Sequence, residues 1–231
     1  MHIKGLVKTS LLDYPGKIAA VVFTSGCNFR CPFCQNAHLI LQPTSLPDIA
    51  AEEVLALLAK RRRFLDGVVI SGGEPTLQTD LADFMSKIKK LELATKLDTN
   101  GYRPDVIASL LTDGLVDEVA MDIKAPLPRY PLAAGVPVDP SLITQSISLL
   151  LASNVSHEFR TTVVPGIVGP EDVAELAAML QGAQRYALQQ FRAEGVLDPA
   201  WESVSPYPAE TLQEMAKQLC ARGVPTIVRG I

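Results

Sequence analysis

Basic residues are in short supply: 21 Lys and Arg stand against 25 Asp and Glu in 231 residues, a formal net charge of −4. Neutralising phosphates takes a basic face, so this balance reads against nucleic acid as a partner. Long apolar runs are missing too. None approaches the roughly 18 residues that suggest a membrane span, and the opening residues run from Met1 to Lys8 and into Thr9, Ser10 and Asp13 without the apolar region or small-residue cleavage site of a signal peptide. The expectation is a cytoplasmic protein that does not engage a membrane. Gly and Ser gather into no linker and no segment repeats, so residues 1–231 read as a single domain. Cysteine is scarce and unevenly placed, with Cys27, Cys31 and Cys34 inside eight residues and Cys220 alone. Clustered thiols in a reducing compartment point to a metal rather than to disulfides.

What is present is enough apolar sequence to bury a core, at 48% hydrophobic and 20% charged. Short β-rich runs alternate with helical periodicity. Strands are predicted at Ile18–Thr24, Val68–Ser71, Thr95–Asp98, Asp117–Asp122, Glu158–Val164 and Arg185–Gln190, with a last one at Thr226–Val228. Helices are predicted at Ile49–Phe64, Leu81–Leu91, Asp105–Leu111, Pro140–Leu151, Glu171–Leu180 and Ala209–Ala221, and Ala125–Pro140 reads as a long Pro-rich loop. Repeated βα units build a parallel sheet, and about six of them in a chain shorter than a full eightfold barrel predict a partial (β/α)6 TIM-like barrel with parallel strands. A doubly wound sheet is the alternative. In both, ligands bind at the C-terminal ends of the strands.

The segment Gly26-Cys27-Asn28-Phe29-Arg30-Cys31-Pro32-Phe33-Cys34 follows the first predicted strand, as that rule requires. Thiolates spaced C-x3-C-x2-C can surround one small object, and soft sulfur selects zinc, copper(I) or an iron–sulfur cluster. Structural zinc wants four closed ligands. A fourth could come only from His38 or Cys220, whereas a four-iron cluster held by three cysteines leaves one iron open; both readings stand on spacing alone. With Phe33 as its aromatic residue, the pattern resembles the signature of the radical S-adenosylmethionine (SAM) superfamily. That resemblance implies that Cys27, Cys31 and Cys34 bind a 4Fe-4S cluster whose free iron chelates SAM, with Phe33 near the adenine. It also implies reductive cleavage of SAM to methionine and a 5′-deoxyadenosyl radical.

Companion segments sit at later strand ends. Ser71-Gly72-Gly73-Glu74-Pro75 resembles the superfamily's GGEP segment, which implies cofactor contacts at Gly72, Gly73 and Glu74. Asp98-Thr99-Asn100-Gly101 and Asp122-Ile123-Lys124 resemble the D-T-N-G and D-x-K segments of glycyl-radical-enzyme activases. There the likeness implies that Asp98, Thr99, Asp122 and Lys124 line the cofactor pocket and a monovalent-cation site. Arg160, sharing a strand face with Thr162, matches a cofactor-side arginine of the same group. Gln190 falls where pyruvate formate-lyase activase has a histidine, a departure that leaves the histidine's role uncarried. The plain readings of these residues are turns, strand ends and a surface ion pair.

Thr9-Ser10-Leu11-Leu12-Asp13-Tyr14-Pro15-Gly16-Lys17, Thr24 to Asn28, Gln190-Phe191-Arg192 and Leu197-Asp198-Pro199 resemble the anaerobic ribonucleoside-triphosphate reductase activating proteins. The implied partners are a glycyl radical enzyme, that reductase first, and an electron donor such as flavodoxin or ferredoxin. Activation of pyruvate formate-lyase, radical chemistry on a small molecule, and a non-catalytic metal-binding or redox-sensing protein are the other readings. Cys220, beside Leu212, Met215, Ala216 and Leu219, reads as a small core residue, Trp201 and Tyr207 as loop packing, and Lys60 to Arg63 as a helix end that complements the dipole.

Overall fold

A computed structural model describes residues 1–41 and 43–231. The chain forms two compact units, Met1–Asn28, His38–Thr99 and Arg103–Val119 in the first, Phe29–Ala37, Asn100–Tyr102 and Ala120–Ile231 in the second. The first opens with β1 (Ile3–Ser10), which pairs antiparallel with β2 (Ala19–Thr24). Then come α1 (Ala37–Leu41), which begins at the last residue of a second-unit segment, α2 (Ala51–Arg61), β3 (Gly67–Gly72), α3 (Leu81–Lys89), β4 (Ala94–Thr99) and α4 (Pro104–Thr112). β2, β3 and β4 run parallel, with Val21 opposite Val69 and Ile70 opposite Leu97. Val68, Val69 and Ile70 are fully buried, as a β-branched run in a parallel strand covered on both faces should be. α3 buries Leu81, Phe84, Met85 and Ile88, the three-and-four spacing of one helical face, each side chain stabilising the unit by about 1.5–3 kcal/mol.

β1 sets eight residues against the six of β2. Its register slips between Val7 and Ser10, and Arg61, at the end of α2, donates to Lys8 O and Thr9 Oγ1, both at 2.7 Å. Sequence periodicity carried α2 on to Phe64; the helix ends at Arg61 and Phe64 is 72% exposed. Tyr14 folds under the strands onto Ala19, Val21 and Val69, and a Cβ on Gly67 would lie 2.9 Å from its ring.

β5 (Glu118–Asp122) carries the chain from the first unit into the second, which holds α5 (Tyr130–Ala134), α6 (Pro140–Ala152), β6 (Ser156–Val163), α7 (Val173–Met179), β7 (Tyr186–Gln190), α8 (Ala209–Ala221) and β8 (Thr226–Arg229). β6, β7 and β8 pair in parallel. The predicted loop Ala125–Pro140 is instead structured: a 3-10 turn at Leu127–Arg129 leads into α5, where Pro131 fits the first turn and Gly135, at φ +65°, ends it. Cys220 also departs from expectation. Leu212, Met215, Ala216 and Leu219 face the core, but the next residue along a helix turns about 100° away, and Cys220 is exposed with its sulfur 3.3 Å from Thr226 N.

Among the described residues the strands of each unit are ordered as in the chain, β1 to β4 in the first and β6 to β8 in the second. A doubly wound sheet requires a reversal in that order, and there is none within either unit. The predicted α/β class with parallel βα units therefore holds, with one antiparallel strand added in front and the last predicted strand confirmed.

Candidate active site at the strand ends

In the first unit, the ends of β2 and β3 touch through backbone. Gly73 N donates to Thr24 O at 2.9 Å and Glu74 N to Gly26 O at 2.8 Å. The approach leaves no space for side chains: a Cβ on Gly72, which sits at φ +119°, would lie 2.3 Å from Thr24 O, and one on Gly73 would lie 2.0 Å from Gly26 O. Thus the paired glycines hold the segment that leads into Cys27 against the end of β3.

Glu74 is wholly buried, and its Oε1 accepts from Thr76 N at 3.0 Å, from Thr76 Oγ1 and from Thr99 Oγ1 at 2.7 Å. The carboxylate therefore ties the end of β3 to the end of β4, a structural role that the motif alone does not announce. Glu74→Ala strands these buried donors and should cost about 3 kcal/mol or more, read as a lowered melting midpoint; an unchanged midpoint would show that the three bonds carry no stability. One residue before Thr99, Asp98 accepts from Lys96 Nζ at 2.8 Å and Ser71 Oγ at 3.2 Å.

In the second unit, Asp122 ends β5 and is gripped by two cations, Arg160 Nε at 2.8 Å and Lys124 Nζ at 2.9 Å. Burial works against its charge, but Arg160 and then Lys124 overcome that and bring its pKa down to about 2. For Lys124, burial again opposes the charge; Asp122, Cys31 and Cys34 outweigh it and keep the ammonium protonated far above the ordinary lysine range. Tyr130 OH donates to Asp122 O at 3.2 Å and accepts from Lys124 N at 3.3 Å, fixing the D-x-K backbone.

The second half of the cysteine segment is pinned from several sides within this unit. Arg30 N donates to Ala134 O at 2.7 Å, Asp198 N to Pro32 O at 3.0 Å, and Gln35 Nε2 to Arg192 O at 3.0 Å. A turn closed by Cys34 N on Cys31 O at 3.0 Å sets these two cysteines, and Cys31 and Phe33 are buried. Gln190, at the end of β7, donates to Tyr207 O at 2.9 Å, while its Oε1 is buried with no hydrogen-bond partner. Trp201, read from sequence as loop packing, lines with Arg30, Pro32 and Leu132 an open cleft of about 540 Å³ beside the cysteine segment.

None of the four cysteines is in a disulfide. Among the described residues no three His, Cys, Asp or Glu side chains gather as ligands of a single metal ion. Within the second unit the donor set nonetheless suits an iron–sulfur cluster and SAM in two respects: soft thiols with a fixed ammonium in electrostatic reach of Cys31 and Cys34, and an orphaned acceptor on Gln190.

Parallel βα units with polar groups gathered at strand ends define an α/β enzyme scaffold. Residues 21–180 match the model of the radical SAM superfamily. A Methanocaldococcus jannaschii protein named "Putative glycyl-radical enzyme activating enzyme" is 35% identical over 221 residues, 93% of this chain and 90% of that protein. The pyruvate formate-lyase-activating enzyme of Listeria monocytogenes is 37% identical over 125 residues, 49% of each chain. Streptococcus suis SuiB, solved bound to S-adenosylmethionine, shares the fold at a TM-score of 0.70 and 15% identity, covering 91% of this chain and 50% of SuiB. The chain belongs to the radical SAM superfamily and is a radical SAM enzyme.

Proposed function

We propose that residues 1–231 act as one radical SAM domain that installs a glycyl radical on a partner enzyme. The observation that carries this reading is the nearly full-length likeness to a protein named as a glycyl-radical enzyme activating enzyme, in a chain that also has the three-cysteine segment and both activase-like strand ends. Cys27, Cys31 and Cys34 would hold a 4Fe-4S cluster. Phe33, Gly72, Gly73, Glu74, Asp98, Thr99, Asp122, Lys124, Arg160 and Gln190 would form the surroundings of SAM.

When bound, the cluster and SAM would supply the radical chemistry that removes a hydrogen atom from the partner's glycine α-carbon. The chain's own residues do the positioning. Lys124, protonated throughout the working range and held by Asp122, presents a fixed positive charge near Cys31 and Cys34. Gly72 and Gly73 let the ends of β2 and β3 meet backbone to backbone, and Gln190 Oε1 offers an acceptor to a ligand N–H or O–H. The likeness to a pyruvate formate-lyase-activating enzyme supports the general activase reading over commitment to one partner, so the lyase and the anaerobic ribonucleotide reductase stand side by side. The electron would come from a flavodoxin or ferredoxin, in the cytoplasm.

Anaerobic electron paramagnetic resonance of the reconstituted, reduced protein with SAM tests this, each partner enzyme in its own tube. A glycyl-radical signal in either tube is the expected result and names the partner. Deoxyadenosine without a signal in any glycyl radical enzyme would move the substrate to a small molecule, and neither product would return the protein to a non-catalytic metal site.

A further inference from the structure

The likeness to activases brought with it a monovalent-cation site at the D-T-N-G and D-x-K segments, and the carboxylates of both segments are already occupied by this chain. In the first unit, β4 sets Lys96 and Asp98 two residues apart and so on one face of the strand. Lys96 Nζ lies 2.8 Å from Asp98 Oδ1 and donates to Asp13 O at 2.7 Å, while Asp98 Oδ2 accepts from Ser71 Oγ at 3.2 Å. The Lys96 side chain is 3% exposed, so its ammonium has given up water for these oxygens. In the second unit, Asp122 offers Oδ1 to Arg160 and Oδ2 to Lys124. Every carboxylate oxygen of the pair thus already accepts a donor, and three of the four donors carry a full positive charge. An added cation would meet oxygens already taken and like charges beside them. The residues do not fit a bound monovalent cation.

We propose that Lys96 stands in place of that cation: a tethered positive charge that holds and orients the Asp98 carboxylate, so that the enzyme works without added potassium or sodium. Lys96 is then a positioning residue acting through Asp98, and its second bond, to Asp13 O, anchors it to the Leu11-Leu12-Asp13-Tyr14 segment at the start of the chain. This rests on the radical SAM reading for what Asp98 serves, but the occupancy of its oxygens stands apart from that reading.

The test measures SAM cleavage to 5′-deoxyadenosine by the cluster-loaded protein with tetramethylammonium as the sole monovalent cation, against potassium and sodium at equal ionic strength. The expected difference is below about threefold, and a larger loss without the small cations overturns the proposal. Lys96→Met should lose about tenfold or more in tetramethylammonium and regain at least about threefold in potassium or sodium, since the small ion can enter the vacated place. A folded Lys96→Met variant that keeps wild-type activity in tetramethylammonium, or loses it with no gain from either ion, also overturns it. Should that variant not fold, thallium-205 resonance of the wild-type protein reads the site directly. No saturable thallium site is expected, and one displaced by potassium overturns the proposal. A protein that binds no thallium and cleaves no SAM would uphold Lys96 in its place while removing the catalytic reading.

Discussion

Cys31→Ala is expected to strip the protein of its iron and sulfide and to take SAM cleavage to background, while the polypeptide stays folded. The separation follows from how the segment is held. Its backbone is fixed by Arg30 on Ala134, Asp198 on Pro32 and Cys34 N on Cys31 O, none of which uses the sulfur. Cys31 is 6% exposed, so alanine removes one buried atom and leaves a void smaller than a water molecule. The metal-free melting midpoint should shift by no more than about 2–4 °C, the equivalent of about 1 kcal/mol in a chain of this size. Loss of cluster with an unchanged midpoint would tie the activity to the thiolate. Retention of iron and cleavage in the variant would remove Cys31 from the ligand set, and stoichiometric zinc in the wild type would favour the non-catalytic reading.

Gly73→Ala should bring a large loss of stability for a single methyl group. The new Cβ would stand 2.0 Å from Gly26 O and 2.7 Å from Gly26 C, both backbone atoms that cannot rotate aside. Relief requires parting the ends of β2 and β3, which breaks the Gly73 N to Thr24 O and Glu74 N to Gly26 O bonds. A cost of about 3 kcal/mol or more is expected, a fall of roughly 6–12 °C in midpoint, together with loss of SAM binding by equilibrium dialysis. Gly114→Ala is the control. Gly114 also carries positive φ, at +62°, but a Cβ there meets nothing within 4 Å, so only the backbone penalty of about 1–2 kcal/mol applies. Equal midpoints for the two variants would show that the close approach at Gly73 does not matter.

The central strands were readable because hydrophobic runs such as Val68-Val69-Ile70 and their glycine or aspartate ends leave few other conformations, and the site residues at those ends were read with them. Three features escaped. β1, Ile-Lys-Gly-Leu-Val-Lys-Thr-Ser, has too little alternation to register as a strand, because it lies at the sheet's edge and slips register within itself. α5 was hidden in a proline-rich stretch whose Pro131 begins a helix rather than breaking one, a distinction made only by the Ala134 and Gly135 contacts with Arg30. Lys96 falls inside the predicted strand Thr95–Asp98 and is not singled out there. The signal was present in the two-residue spacing from Asp98, but a lysine in a strand is usually solvated, and only the bond to Asp13 O, 83 residues away, marks it as buried. The role of Glu74 was partly legible: the motif singles out the residue, while the inward turn of its carboxylate onto Thr76 and Thr99 depends on packing that sequence does not carry.

The Arg61 fork on β1 bears on the protein's behaviour in concentrated solution. An outer strand of eight residues is a template on which a second molecule could extend the sheet, the route by which many α/β proteins precipitate. Here the slipped register twists the strand's far end, and the guanidinium claims the carbonyl of Lys8 and the hydroxyl of Thr9. A foreign strand would have to displace a charged group to find its first acceptor there. The margin of the sheet is thereby obstructed at Lys8 and Thr9 by a residue with no part in the chemistry, which keeps copies of the protein from pairing along that stretch.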